Sequence, residues 1–154
     1  ADPSPLPEPR RSALRLVFKA MTTHPDMVSG PDTFDTDLMS ACHGRVLTKG
    51  GAEGYQALAV LAGARGEGSP AIGITIKVSD GDLAQRDRLA PVAHIAHDGG
   101  GRARSTAAVE ALRQLGALDE AQLEALRAYL PRPQYNWRHF EVGGIEPVFD
   151  LRVK

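Results

Sequence analysis

Lys49-Gly50-Gly51 is the stretch of this chain best placed to do chemistry. A lysine that ends a strand before two glycines sets a cation beside exposed backbone amides, which suits an anionic substrate group or an oxyanion. Two residues on, Glu53 is either a carboxylate paired with Lys49 or a surface residue of the turn. Asp80-Gly81-Asp82 offers two carboxylates for metal or acid/base work, but Asp-Gly is a favoured turn dipeptide and a turn is the simpler reading. Cys42-His43 looks like half of a metal site. Structural zinc takes about four ligands and Cys42 is the only cysteine, so a buried thiol at a helix end is expected instead. His94 and His97 are spaced i, i+3 with Asp98 beside them, yet no third ligand follows from the spacing. No metal site is expected. Tyr135, Trp137 and Phe140, with Arg138 and His139, could form a binding lip; packing of a terminal strand against the last helix accounts for them more simply.

The elements that must carry these residues can be read from periodicity. Leu14, Val17, Phe18 and Met21 fall on one face of a helix over Arg10–Thr23, which His24-Pro25 must end. Gly30-Pro31 marks a turn, after which Asp32 or Thr33 can cap a short helix carrying Phe34, Leu38, Met39 and Cys42. Gly44 closes it. Arg45 to Lys49 is a strand running into Gly50-Gly51, and a second strand, Tyr55 to Ala62, follows so soon that an antiparallel hairpin is expected. Gly63 to Ser69 is loop, and Ala71 to Val78 is a third strand stopped by Ser79-Asp80-Gly81-Asp82. Leu83 to Gly101 is an excursion that ends in three glycines. Two helices follow, one from Ser105 with Ala108, Ala111, Leu112 and Leu115, the other from Asp119 with Leu123, Leu126 and Leu130, separated by Gly116 and ended by Pro131 and Pro133. Ile145 to Val153 reads as a terminal strand. This order predicts an α+β fold, a small antiparallel sheet with helices packed on it.

The bulk properties narrow the function. At 154 residues and 42% hydrophobic content, one domain with a modest core is expected over residues 10–154, after a proline-rich linker at 1–9. Eighteen basic against nineteen acidic residues leave no excess charge for nucleic acid or an anionic membrane. The lone cysteine fits a reducing cytoplasm, and no apolar run is long enough to span a bilayer.

Three blocks stand in a telling order: His24-Pro25-Asp26-Met27-Val28 with Phe34-Asp35-Thr36-Asp37-Leu38-Met39, then Lys49-Gly50-Gly51-Ala52-Glu53-Gly54, then Gly73-Ile74-Thr75-Ile76-Lys77-Val78-Ser79-Asp80-Gly81-Asp82. Their order and separation resemble the second half of the type II bacterial asparaginases. The likeness runs from about Arg10 to Asp82 and resumes at Arg102-Ala103-Arg104 through Leu118. Residues of about 83–100 form an inserted segment between parts that lie close together in that family. The family's fold is similar to that of the serine β-lactamases and glutaminases, whose third strand carries a Lys-Thr-Gly or Lys-Ser-Gly element beside the active site; Lys49-Gly50-Gly51 stands in its place.

The resemblance implies the second half of a β-lactamase/glutaminase-like domain and hydrolysis of L-asparagine to L-aspartate and ammonia through a serine acyl-enzyme. Lys49 would orient the substrate or assist proton transfer, the amide of Ala52 would serve the oxyanion, and Gly50, Gly51 and Glu53 would line the substrate. No serine here has a lysine three residues later, so the Ser-x-x-Lys nucleophile is expected from a missing amino-terminal half, present in the same polypeptide or as a separate chain. Zinc-binding members of the family use cysteines, one of them at the position of Asp35, and the departure there leaves no cofactor expected. The expected partners are a small amino-acid substrate and further copies of the chain in a homo-oligomer. The alternative is a non-catalytic remnant that binds a small amino-acid-like ligand or a partner chain.

Overall fold

The computed structural model of the chain describes residues 5–79, 81, 103–136 and 138–152. Helix α1, Arg10–Thr23, ends at His24 before the proline, as expected. Its Phe18 and Met21 are half-buried, but Leu14, Leu16 and Val17 remain 48%, 69% and 53% exposed. The amphipathic pattern is real, and only part of its apolar face is covered. A single turn of helix, α2, Asp26–Ser29, occupies a stretch with too few residues to show a period. Helix α3, Phe34–Cys42, is capped by Thr33, whose hydroxyl accepts from the Thr36 amide at 3.4 Å. It buries Phe34, Asp35, Leu38, Met39 and Cys42, one face at helical spacing.

Three antiparallel strands form the main sheet in the order β1-β2-β3: β1 is Val46–Gly51, β2 is Tyr55–Val60 and β3 is Ile72–Lys77. The register sets Lys49 opposite Ala57 and Gly51 opposite Tyr55. β1 runs through both glycines, while β2 ends at Val60 rather than Ala62. Alternation sends Val46, Thr48, Gln56, Leu58 and Val60 to one face, where α3 meets β1 and α4 (Arg104–Gln114) meets β2 and β3. Phe34, Leu38, Val109, Leu112, Leu126 and Tyr129 fill the space between. The rings of Phe34 and Tyr129 meet edge to face, their centroids 4.9 Å apart.

Gly116, at φ 66°, separates α4 from α5, Glu120–Ala125, which continues as a 3-10 turn over Arg127–Tyr129. A capping box starts α5: the Gln122 amide donates to Asp119 Oδ1 at 2.8 Å and the Asp119 amide to Gln122 Oε1 at 2.9 Å. Asp119→Ala is expected to cost about 1 kcal/mol of stability, read as a lower urea midpoint at unchanged slope. An unchanged midpoint would remove the cap from the account.

The chain's end corrects one expectation. Strands β4, Arg132–Tyr135, and β5, Glu141–Ile145, form a separate hairpin, and residues 146–152 are not a strand. Pro147 lacks the amide donor a ladder needs. The side chain of Gln114 holds this segment instead, donating to Phe149 O and accepting from the Leu151 amide, both at 2.7 Å. Tyr135 and Phe140 are 41% and 59% exposed rather than packed under a terminal strand. Arg138 lies 5.4 Å from the centre of the Phe140 ring. The inserted segment at about 83–100, with His94, His97 and Asp98, lies outside the described residues, as do Asp80, Asp82 and Trp137. The arrangement is α+β, with helices against a small antiparallel sheet.

Candidate functional site

Because β1 is an edge strand, the backbone of Gly50 faces away from β2. Its N–H donates to Asp35 Oδ2 at 2.8 Å, and its carbonyl accepts from Lys49 Nζ at 3.0 Å. The Lys49 side chain is 53% exposed, and its ammonium also lies 3.5 Å from Ser29 Oγ and 3.7 Å from Asp35 Oδ2. The cation thus sits at the β1 edge of the sheet, beside the carbonyl of Gly50.

Behind that edge is a buried polar cluster. Asp35 is 5% exposed, and its carboxylate collects four donors. Oδ2 accepts from Ser29 Oγ (2.8 Å) and the Gly50 amide; Oδ1 accepts from Gln56 Nε2 (2.7 Å) and Thr48 Oγ1 (3.2 Å). Gln56 Nε2 also donates to Thr48 Oγ1. Flipping that amide would set its oxygen against the carboxylate, so the network fixes its orientation. Burial pushes the Asp35 carboxyl up. The hydrogen bonds from Gly50, Ser29 and Gln56 and the charge of Lys49 outweigh it, so the group stays below its ordinary value.

Gly50 packs directly against the cluster. A Cβ there would lie 3.4 Å from Arg104 Nη1, 3.4 Å from Gln56 Oε1 and 3.5 Å from Asp35 Oδ2. Arg104, first residue of α4, reaches the carbonyl of Gly51 at 3.4 Å. Gly50→Ala would set its methyl at ordinary van der Waals distance from these atoms and is expected to move the thermal or urea midpoint by no more than about 1 kcal/mol. A much larger loss would mean that the cluster tolerates no side chain there.

Gly51 and Ala52 are exposed at the end of β1 and the start of the turn. A Cβ on Gly51 would meet Tyr55 Cδ1 at 2.9 Å, so here the tyrosine ring would have to shift to admit a side chain. Glu53 has a left-handed backbone (φ 57°), and its exposed side chain pairs with Lys77 at 3.4 Å, not with Lys49. Of the two readings of Glu53, the surface residue of the hairpin is the one observed.

Cys42 is fully buried, and burial pushes its thiol up to about 11, which makes it unreactive. Among the described residues, no three His, Cys, Asp or Glu side chains converge as metal ligands. Asp35, the position at which the resemblance noted above would set a zinc ligand, is ringed by donors and lies beside the Lys49 ammonium; Cys42 is about 10 Å further along α3. That donor set does not fit a metal ion.

Asp35 was not expected on the buried face of α3, although it stands seven residues before Cys42, a spacing that returns to the same side of a helix, where a carboxylate must find donors. Thr48 and Gln56 stand at inward positions of strands whose other inward residues are apolar. Arg104 opens a helix, against the helix dipole. These were the legible signals for the polar cluster; nothing local points to Ser29, which arrives through α2.

A family model described as L-asparaginase II matches the chain over residues 1–96 and again over residues 84–147. No curated protein matches it.

Proposed function

The chain belongs to the L-asparaginase II family, and from that premise we propose that it forms one wall of an active site that hydrolyses the side-chain amide of L-asparagine to L-aspartate and ammonia. The observation that carries the reading is the Lys49 ammonium, half-exposed on the edge strand β1 and held 3.0 Å from the Gly50 carbonyl, three residues before Ala52. A cation at the end of a strand suits the side of an amide hydrolase's site on which the oxyanion develops.

In this reading a serine from outside the chain attacks the side-chain carbonyl carbon of asparagine. Lys49 orients the substrate and assists the proton transfer. The amide of Ala52 donates to the oxyanion, the carbon–nitrogen bond breaks, the nitrogen leaves as ammonia, and water then hydrolyses the acyl-serine. The Ser29 hydroxyl lies 3.5 Å from Lys49 Nζ, but its proton is engaged by Asp35, and it carries no Ser-x-x-Lys pattern. We therefore give it no nucleophilic role. The three-stranded sheet with its Lys-Gly-Gly strand at the edge suits the second half of a β-lactamase-like domain. Gly50 and Gly51 line the substrate, Glu53 is left at the surface of the hairpin, the wider assembly is a homo-oligomer, and the unreactive thiol suits a reducing cytoplasm. Among the described residues no helix is long and apolar enough to cross a membrane.

An ammonia-release assay with asparagine and glutamine tests the reaction, and mass measurement under native conditions tests the assembly. Thermal stabilisation by aspartate without turnover, even after the Ser-x-x-Lys half is supplied, would favour a ligand-binding remnant instead.

A further inference from the structure

We propose that Asp35 is the positioning residue of this site: its carboxylate, buried behind β1, fixes the Gly50 amide and, with Ser29, seats the Lys49 ammonium. The inference rests on the asparaginase reading for its catalytic consequence, and its geometry stands apart from it. Two consecutive glycines have the greatest backbone freedom of any residue pair, which is a poor platform for an amide that must meet an oxyanion. The ladder with β2 restrains this backbone on one side, and the 2.8 Å bond from the Gly50 amide to Asp35 Oδ2 anchors its other side two residues before Ala52.

The same oxygen accepts from Ser29 at 2.8 Å and lies 3.7 Å from Lys49 Nζ, while Ser29 Oγ is 3.5 Å from that ammonium. The other oxygen is locked by Gln56 and Thr48. The carboxylate therefore cannot rotate without breaking several bonds at once. A core position with only a packing role would be filled by an apolar residue, as Leu38, Met39 and Cys42 fill the rest of this helix face. A buried carboxylate removed from water is costly unless its charge and directionality are used. Here they are used on one peptide group and one ammonium. Among the described residues, Lys49 from β1 lies 3.7 Å from Asp35, and Arg104 from the start of α4 approaches the same point beside Gly50.

The test uses the full polypeptide, with the Ser-x-x-Lys half present, and compares Asp35→Asn, Ser29→Ala and Ser29→Thr. Three quantities are read: hydrogen exchange of the Gly50 amide, kcat and KM for asparagine, and the thermal midpoint. Asn at 35 must turn its NH2 toward one of two donor pairs, so Gly50 exchange is expected to accelerate at least about tenfold and kcat to fall about a hundredfold, with KM within about threefold. Ser29 is only half-buried, so Ser29→Ala keeps the fold and the midpoint. Its kcat is expected to fall about tenfold, and Ser29→Thr to restore it. Wild-type kcat in Ser29→Ala together with wild-type Gly50 exchange in Asp35→Asn would overturn the proposal. If Asp35→Asn fails to fold, wild-type kcat in Ser29→Ala alone overturns it. If the wild type itself releases no ammonia, the asparaginase reading fails, and Gly50 exchange still decides the positioning role.

Discussion

Lys49→Met is expected to lower asparagine turnover by about 10²–10⁴-fold while leaving the protein folded. Methionine keeps the length and the apolar stem and removes only the ammonium. That ammonium is more than half exposed and contacts Gly50 O, Ser29 Oγ and Asp35 Oδ2. The pair is half-exposed on the lysine side at 3.7 Å, and Asp35 keeps its four hydrogen-bond donors without it, so the thermal midpoint should move by no more than about 1 kcal/mol. The loss must then appear in catalysis. If Lys49 assists proton transfer, kcat falls with kcat/KM; if it only binds substrate, KM rises at constant kcat. Lys49→Arg should not rescue, because the planar guanidinium cannot occupy a point 3.0 Å from Gly50 O with the same geometry. Steady-state kinetics of the three proteins decides this.

Asp35→Ala carries the largest expected effect on stability. Removing the carboxylate leaves the Gly50 amide, Ser29, Gln56 and Thr48 without their acceptor, and the loss of one partner from a buried charged network costs about 3–5 kcal/mol. The pH dependence follows from the direction of the titration. Because the folded carboxyl is held below its ordinary value, the stability it adds is complete above about pH 4 and is lost as the pH falls through the folded value. Urea midpoints between pH 3 and 7 should therefore show a gap between wild type and Asp35→Ala that is constant near neutrality and narrows in acid. A gap that widens in acid would mean that the carboxyl is protonated in the folded protein.

The framework of this fold was legible where period and punctuation agree. Leu14 to Met21 marked α1, Phe34 to Cys42 marked α3, and the short spacing between Lys49 and Tyr55 marked the β1–β2 hairpin. What failed was the end of the chain. Val148, Phe149 and Leu151 read as a strand, but Pro147 and the grip of Gln114 took them out of any ladder, and the hairpin of β4 and β5 formed just upstream. Pro133 within β4 hid that strand; an edge position in a two-stranded ribbon tolerates it.

The site was half legible. Lys49-Gly50-Gly51 announced itself because a cation and two glycines at a strand end are chemically suggestive. The cluster behind it depends on which oxygen faces which donor, and so on the approach of α2, α3 and α4 to one strand edge. Glu53 shows the converse: the sequence left Lys49 within reach, and the register of β2 with β3 brought Lys77 closer.

The central claim is that this chain supplies the cation and the backbone of an asparaginase site but not its nucleophile. Ammonia release from L-asparagine, measured side by side for the 154-residue chain alone and for the same chain with a Ser-x-x-Lys half supplied, tests it most directly. The account predicts turnover only in the second case; turnover by the 154-residue chain alone, abolished by Lys49→Met, would contradict it.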